Sequence, residues 1–271
     1  MSAADVTGSL FDVRGQRAIV TGAASGLGLA FAEVLADCGA RVTLTDIDAE
    51  RLEAETARLA GRGCDVRSTL VDVADPASVD ACFDELVEVQ GGVDIAFANA
   101  GIAGVPGFSV PGGEELHTVD DRVWRDVLSI NQDGVLYTLR AAAAVMKPQG
   151  SGRIVVTAST AGLTPESAVC YAYAAAKASV VMVARQAARE LAPHGVHVNV
   201  IAPGPVKTRI AGGVTPEAEQ MWKALIPIGR MGEPDELKGL ALLLASPAAS
   251  FITGGVFPID GGQLLGQPGD W

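Results

Sequence analysis

The stretch VCYAYAAAKAS at residues 169–179 places a lysine four positions after Tyr173 in a run of alanines. On a helix, residues four apart share a face, so Tyr173 and Lys177 stand side by side, whereas Tyr171 is followed at that spacing by Ala175. A phenol with a pKa near ~10 is a poor base at neutral pH, and an adjacent ammonium stabilises its anion and lowers that value. Such a pair can give or take a proton during chemistry at a carbonyl or an alcohol. Taken alone, the same residues are better described as a partly buried tyrosine and a solvated lysine on an Ala-rich helix, so a chemical meaning rests on what surrounds them.

A second pattern, VTGAASGLGLA, joins an apolar run to a helix-like segment and spaces Gly22, Gly26 and Gly28 as G-x-x-x-G-x-G. Glycines there permit a tight turn and close approach of the backbone to a pyrophosphate, which the N–H groups and dipole of the following helix stabilise. The next apolar run, RVTLTD, ends in Asp46 about twenty residues beyond the turn. A carboxylate at that place accepts hydrogen bonds from both ribose hydroxyls of an adenosine, and a 2′-phosphate would meet that carboxylate and no arginine. Ser25, and no basic residue, occupies the glycine loop. The expected cofactor is therefore NAD and not NADP.

The elements that must position these groups follow from periodicity. Short runs rich in β-branched residues recur as RAIVTG, ARVTLTD, CDVRSTLVD, VDIAFANAG, GRIVVTAS, VHVNVIAPG and GGVFPIDGG, which predicts seven strands. Between them, helical spacing is expected at about 26–38, 48–61, 76–90, 119–147, 171–192 and 234–246. Strand–helix alternation implies right-handed crossovers and an α/β, doubly wound parallel sheet with helices on both faces. No linker or repeat interrupts it, so residues 1–271 are expected to form a single dinucleotide-binding and catalytic domain. Two stretches break the rhythm, 102–118 and about 205–232. Each follows a strand's C-terminal end, the edge where such sheets bind ligands, and the second is the expected substrate loop.

Composition narrows the function. With 20 Lys and Arg against 32 Asp and Glu, the net charge of −12 would repel a phosphate backbone, so nucleic acid is not an expected partner. No segment has the length and apolarity of a membrane span, and the first residues lack a cationic start, which leads to an expected cytoplasmic location. Cys38, Cys64, Cys82 and Cys170 are scattered, with no histidine at ligand spacing, so no metal is expected; His117, His194 and His197 receive no role.

TGAASGLG at 21–28, NAG at 99–101, the asparagine of SINQDG, TAST at 157–160, YAAAK at 173–177 and PGPVKT at 203–208 occur in one order. In this combination the chain resembles the short-chain dehydrogenase/reductase family, with a Rossmann fold, from about residue 11 to 262. The resemblance implies a catalytic set of Asn131, Ser159, Tyr173 and Lys177. Tyr173 would be the general acid/base, and Lys177 would hold the nicotinamide ribose. Ser159 would bond the substrate oxygen, and Asn131 would anchor a water in the proton relay. Gly22, Ser25, Leu27, Asp46, Ile47, Asp72, Val73, Asn99, Ala100 and Gly101 match adenosine, pyrophosphate and ribose contacts, and Pro203, Gly204, Val206 and Thr208 match the nicotinamide-side loop.

The family's serine usually lies thirteen residues before its tyrosine, where this chain has Thr160. Aligning STAG on the family's serine–x–Ala–Gly makes Ser159 the match, with one residue inserted in LTPESAVCYA; Thr160 stays the alternative. Enoyl reductases of this type place six residues between tyrosine and lysine, where this chain has three. Ile102, Ala103, Ser159, Leu163, Val169, Tyr171, Ile210, Met221 and Trp222 are the expected substrate contacts, mostly apolar. What the resemblance implies overall is an NAD-dependent oxidoreductase interconverting a secondary alcohol and a ketone, usually as a homotetramer. The rival from another class is an NAD-binding scaffold or sensor without turnover.

Overall fold

In a computed structural model, residues 8–104, 114–166, 168–210 and 212–266 are described. Seven strands, β1 (Arg17–Thr21), β2 (Arg41–Asp46), β3 (Val66–Leu70), β4 (Ile95–Ala98), β5 (Gly152–Thr157), β6 (Val196–Pro203) and β7 (Val256–Ile259), form one sheet in the order β3-β2-β1-β4-β5-β6-β7. Every pairing is parallel. The chain therefore winds outward from β1 to β3 and then restarts at β4 on the other side of β1. A crevice opens between the loops that leave β1 and β4, and it collects their C-terminal ends.

Strand alternation divides the core. Ala18, Val20, Ile95, Phe97 and Val155 face one side, where they pack on Phe31, Leu35, Leu52, Leu59, Leu237 and Leu244. Ile19, Ala96, Ile154 and Val156 face the other, against Val79, Phe83, Leu139, Met146, Val180 and Ala184. In chain order the α-helices among the described residues are α1 (Gly26–Asp37), α2 (Ala49–Ala60), α3 (Pro76–Gln90), α4 (Asp121–Leu128), α5 (Gly134–Gln149), α6 (Tyr171–Leu191), α7 (Pro216–Leu225) and α8 (Lys238–Ala245), and Leu237 lies in the 3-10 turn that leads into α8. Asp48 and Asp75 cap α2 and α3 by accepting from Arg51 N and Ala77 N, and Pro76 opens α3.

Two expectations change. The helix predicted at 119–147 is broken by a π-helical turn at Ser129–Asp133, which separates α4 from α5. The cause is tertiary: buried Asn131 accepts from Ile102 N and donates to Ile102 O, both at 2.7 Å, so the helix widens to keep that side chain on the β4 loop. The 205–232 segment contains a helix of its own, α7, and its base is closed where Gly232 N donates to Pro205 O at 3.0 Å and Lys207 N to Gly232 O at 2.9 Å. The other irregular stretch, 102–118, lies outside the described residues at 105–113. Among the described residues no helix is long and apolar enough to cross a membrane.

Candidate active site

A cavity of about 430 Å³ runs along the C-terminal edge of the sheet from Asp46 to Tyr173. At the Asp46 end, the glycine turn is held by close packing. A Cβ on Gly28 would lie 2.1 Å from Gly22 O and 2.5 Å from Asn99 Nδ2, so no larger residue fits under the turn. Asn99 ties three strand ends together: its Nδ2 donates to Thr21 O at 3.0 Å, and its Oδ1 accepts from Thr157 Oγ1 at 3.0 Å. The first turn of α1 contains no acidic residue, and Ser25 makes no side-chain capping bond, which leaves its N–H groups to face an anion. Asp46 is braced by Ala24 N at 3.0 Å on Oδ2, and by Ile47 N at 2.8 Å and Asp48 N at 3.0 Å on Oδ1. Oδ2 keeps a lone pair for a further donor.

One expectation at this end is corrected. Arg51 also lines the cavity with Asp46, so the end expected to take the adenosine does hold an arginine. It comes from the first turn of α2, which returns past the strand end, and its guanidinium lies 3.4 Å from Asp48.

At the other end, β5 runs into a tight turn at Thr160–Gly162 that packs against α6. A Cβ on Gly162 would stand 2.5 Å from the Lys177 carbonyl carbon, so the glycine allows the turn to seat on the helix beside Lys177. That contact brings the Ser159 hydroxyl into hydrogen-bond range of the Tyr173 phenol. Lys177 Nζ donates to Thr157 O at 2.9 Å and lies 5.6 Å from the Tyr173 ring centroid. Thr160 is 1% exposed, and its hydroxyl shares a donor bond between Pro203 O and Gln263 Oε1, each at 3.3 Å. Ser159, and not Thr160, is the hydroxyl beside the phenol.

Both titratable partners are buried, and burial governs them. It pushes the Tyr173 phenol above its ordinary value; the bond from Ser159 opposes that rise, and the nearby Glu166 charge adds to it. Burial likewise pulls the Lys177 ammonium down, to about 8. The depressed phenol anticipated from helical spacing is thus not the state of the cofactor-free chain. Loss of solvation in a closed niche outweighs a cation that sits over the ring and not at the oxygen.

The cavity wall includes Gly22, Ser25, Gly26, Leu27, Asp46, Ile47, Asp72, Val73, Asn99, Ala100, Gly101, Pro203, Gly204, Val206 and Thr208, with Lys177 and Tyr173. Gly28 lies beneath it. Asn131 is fully buried behind Ile102, with its side-chain amide engaged by that residue's backbone. Of the expected substrate contacts, Ile102, Ser159, Val169, Ile210 and Trp222 line the cavity. Ala103, Leu163, Tyr171 and Met221 do not. Ala103 is buried, with its carbonyl accepting from the Cys170 thiol at 3.3 Å, and Leu163 is exposed. Tyr171, two residues before Tyr173, turns to the outer side of α6 and is 43% exposed. Met221 packs with Trp222, Ile226 and Met231 inside the 205–232 excursion. Wall residues not foreseen include Arg51, Ile130, Glu166, Arg209, Val214 and Met231. Among the described residues no group of three His, Cys, Asp or Glu side chains is placed to hold a metal.

A family model described as enoyl-(acyl carrier protein) reductase matches residues 22–263. D-threitol dehydrogenase of Mycolicibacterium smegmatis is 40% identical over 259 residues, covering 94% of this chain and 96% of that one. Galactitol 2-dehydrogenase (L-tagatose-forming) of Cereibacter sphaeroides is 37% identical over 261 residues, covering 95% and 98%. The crystal structure of a gluconate 5-dehydrogenase from Burkholderia cenocepacia, in complex with NADP and tartrate, superposes with a TM-score of 0.87 at 30% identity, covering 96% and 99%.

Proposed function

The chain belongs to the short-chain dehydrogenase/reductase family, and within it we propose an NAD-dependent oxidoreductase that interconverts a secondary alcohol and a ketone. One observation carries the proposal: the Ser159 hydroxyl and the Tyr173 phenol stand beside each other in the wall of a cavity whose far end is Asp46 and the glycine turn. Two hydroxyls converging in an apolar niche suit a single substrate oxygen. The free N–H groups at the start of α1 and the carboxylate of Asp46 fit the pyrophosphate and the adenosine ribose of a dinucleotide.

A nicotinamide cofactor, when bound, supplies the two-electron redox chemistry, taking a hydride from the alcohol carbon or giving one to the ketone carbon. The chain's own residues manage the oxygen and its proton. Ser159 holds the substrate oxygen by a hydrogen bond. Tyr173, kept protonated by burial, donates its proton to a ketone oxygen as charge develops there, and in the reverse direction it receives the alcohol proton. Lys177, anchored on Thr157 O, places positive charge beneath the phenol and stabilises its anion during that transfer. The apolar Ile102, Val169 and Trp222 exclude water around the reacting carbon.

Asp46 favours NAD, because a 2′-phosphate would meet its charge, and Arg51 stays engaged with Asp48. The three-residue interval between Tyr173 and Lys177 separates the chain from enoyl reductases. Together with relatives named for threitol and galactitol, this favours small alcohols as substrates. Tyr173→Phe is expected to lower kcat by roughly 10²–10⁴-fold while leaving NADH affinity within about twofold, since the ring and its packing stay; substantial residual turnover in steady-state assays would sink the proton role. We also propose self-association through α5 and α6, whose outer faces present Leu136 and Met182, 46% and 63% exposed, with sedimentation of the purified chain as the measurement.

A further inference from the structure

Glu166 is the one acidic side chain among the described residues at the Tyr173 end of the cavity, and the proton chemistry above does not use it. Thr160 and Gln263 stand beside its carboxyl, and Oε1 is buried with no partner. Its carboxyl shares the cavity wall with Ser159 and Tyr173, and its charge raises the pKa of the Tyr173 phenol. Around it the wall is apolar, with Val169, Val214, Trp222 and Met231.

We infer that Glu166 determines specificity at this end, holding a second hydroxyl on the carbon next to the one oxidised and turning away hydroxy acids; the substrates are neutral vicinal diols and polyols. This rests on the oxidoreductase reading above. The chemistry of the carboxyl selects the class. Burial and neighbouring Asp260 hold its pKa up, whereas Asp260 itself is satisfied by Gly262 N and Leu264 N. A hydroxyl suits such a group in either state, because it donates to a carboxylate and accepts from a carboxylic acid. An ammonium gains only from the ionised form, and a substrate carboxylate would set two anions together in a poorly solvated niche.

The test compares kcat/KM for matched mono-alcohol, vicinal diol, hydroxy acid and amino alcohol on linear four-carbon and cyclohexane skeletons, in the wild type, Glu166→Leu and Glu166→Gln. The wild type should prefer the diol over each of the others by about tenfold or more. Glu166→Leu should lose that preference, its ratio of diol to mono-alcohol kcat/KM falling by about tenfold from that of the wild type. Glu166→Gln should keep the diol and admit the hydroxy acid about tenfold better than the wild type does. A diol preference unchanged in Glu166→Leu, or a wild type that favours the amino alcohol or the hydroxy acid, overturns the inference alone. A wild type that oxidises no alcohol overturns the oxidoreductase reading and this inference with it. If Glu166→Leu fails to bind NADH, the hydroxy-acid arm of Glu166→Gln decides, and no gain there overturns the inference.

Discussion

At its Asp46 end the cavity takes its shape from main-chain contacts at the ends of β1 and β4, where Asn99 bonds Thr21 O and Gly28 packs under Gly22 O. At its Tyr173 end the wall brings together residues distant in sequence, from the Ser159 turn, α6 and the 205–232 excursion. Backbone walls tolerate exchange of neighbouring side chains but not of the glycines that let them close. Side-chain walls keep their shape through individual residues, so the two ends should answer differently to substitution.

Substitutions can break or sharpen that contrast, and the largest effect belongs to the backbone end. Gly28→Val drives a branched side chain into Gly22 O and Asn99. It is expected to cost roughly 3 kcal/mol, a fall of about 6–12 °C in Tm, together with loss of NADH binding; calorimetry and NADH titration measure both. Next comes Lys177→Met, read through pH. The buried ammonium titrates at about 8 in the folded chain against an ordinary 10.5. Between those values the unfolded chain binds more protons, so wild-type stability gains from this residue as pH rises through the window, and the gain is absent below pH 8. The wild type should therefore gain about 2 kcal/mol relative to Lys177→Met between pH 7.5 and 9.5, measured by urea unfolding without cofactor. Equal slopes would mean that the ammonium is not buried as described.

Asp46→Asn keeps an acceptor for Ala24 N and removes the charge. The ratio of kcat/KM with NAD to that with NADP should fall by about tenfold, because a like-charge clash is relieved while Arg51 remains. An unchanged ratio would move cofactor choice to Arg51. The smallest effect is expected at Tyr171. Its ring lies outside the cavity, so Tyr171→Ala should leave kcat/KM within about twofold and stability within about 0.5 kcal/mol.

The contrast also explains what was legible in the sequence. All seven strands are visible as β-branched runs, and the glycine turn and Asp46 are visible because the backbone end is built from residues close in sequence to strand ends. The pairing of Tyr173 with Lys177 follows from helical spacing alone. The Tyr173 end is legible only where one helix supplies both partners. The break at Ser129–Asp133 depends on Asn131 meeting Ile102 across 29 residues, which no local pattern encodes. Arg51 reaches the cavity from a helix that doubles back past β2. Glu166 sits in an irregular turn without period, and it joins Gln263 only because β7 lies beside β6. Tyr171 and Leu163 lie outside the cavity although Tyr173 and Ser159 are near them in sequence, because a helix or tight turn sends neighbours in different directions.

Trp222, 5% exposed, stands in the wall of the Tyr173 end, and only two other tryptophans, Trp124 and Trp271, occur in the chain. Indole emission overlaps the near-ultraviolet absorption of a reduced nicotinamide, so the molecule carries an optical reporter in its own cavity. Energy transfer from that indole, compared with a Trp222→Phe control, can time the arrival of reduced cofactor in a stopped-flow instrument with no label attached.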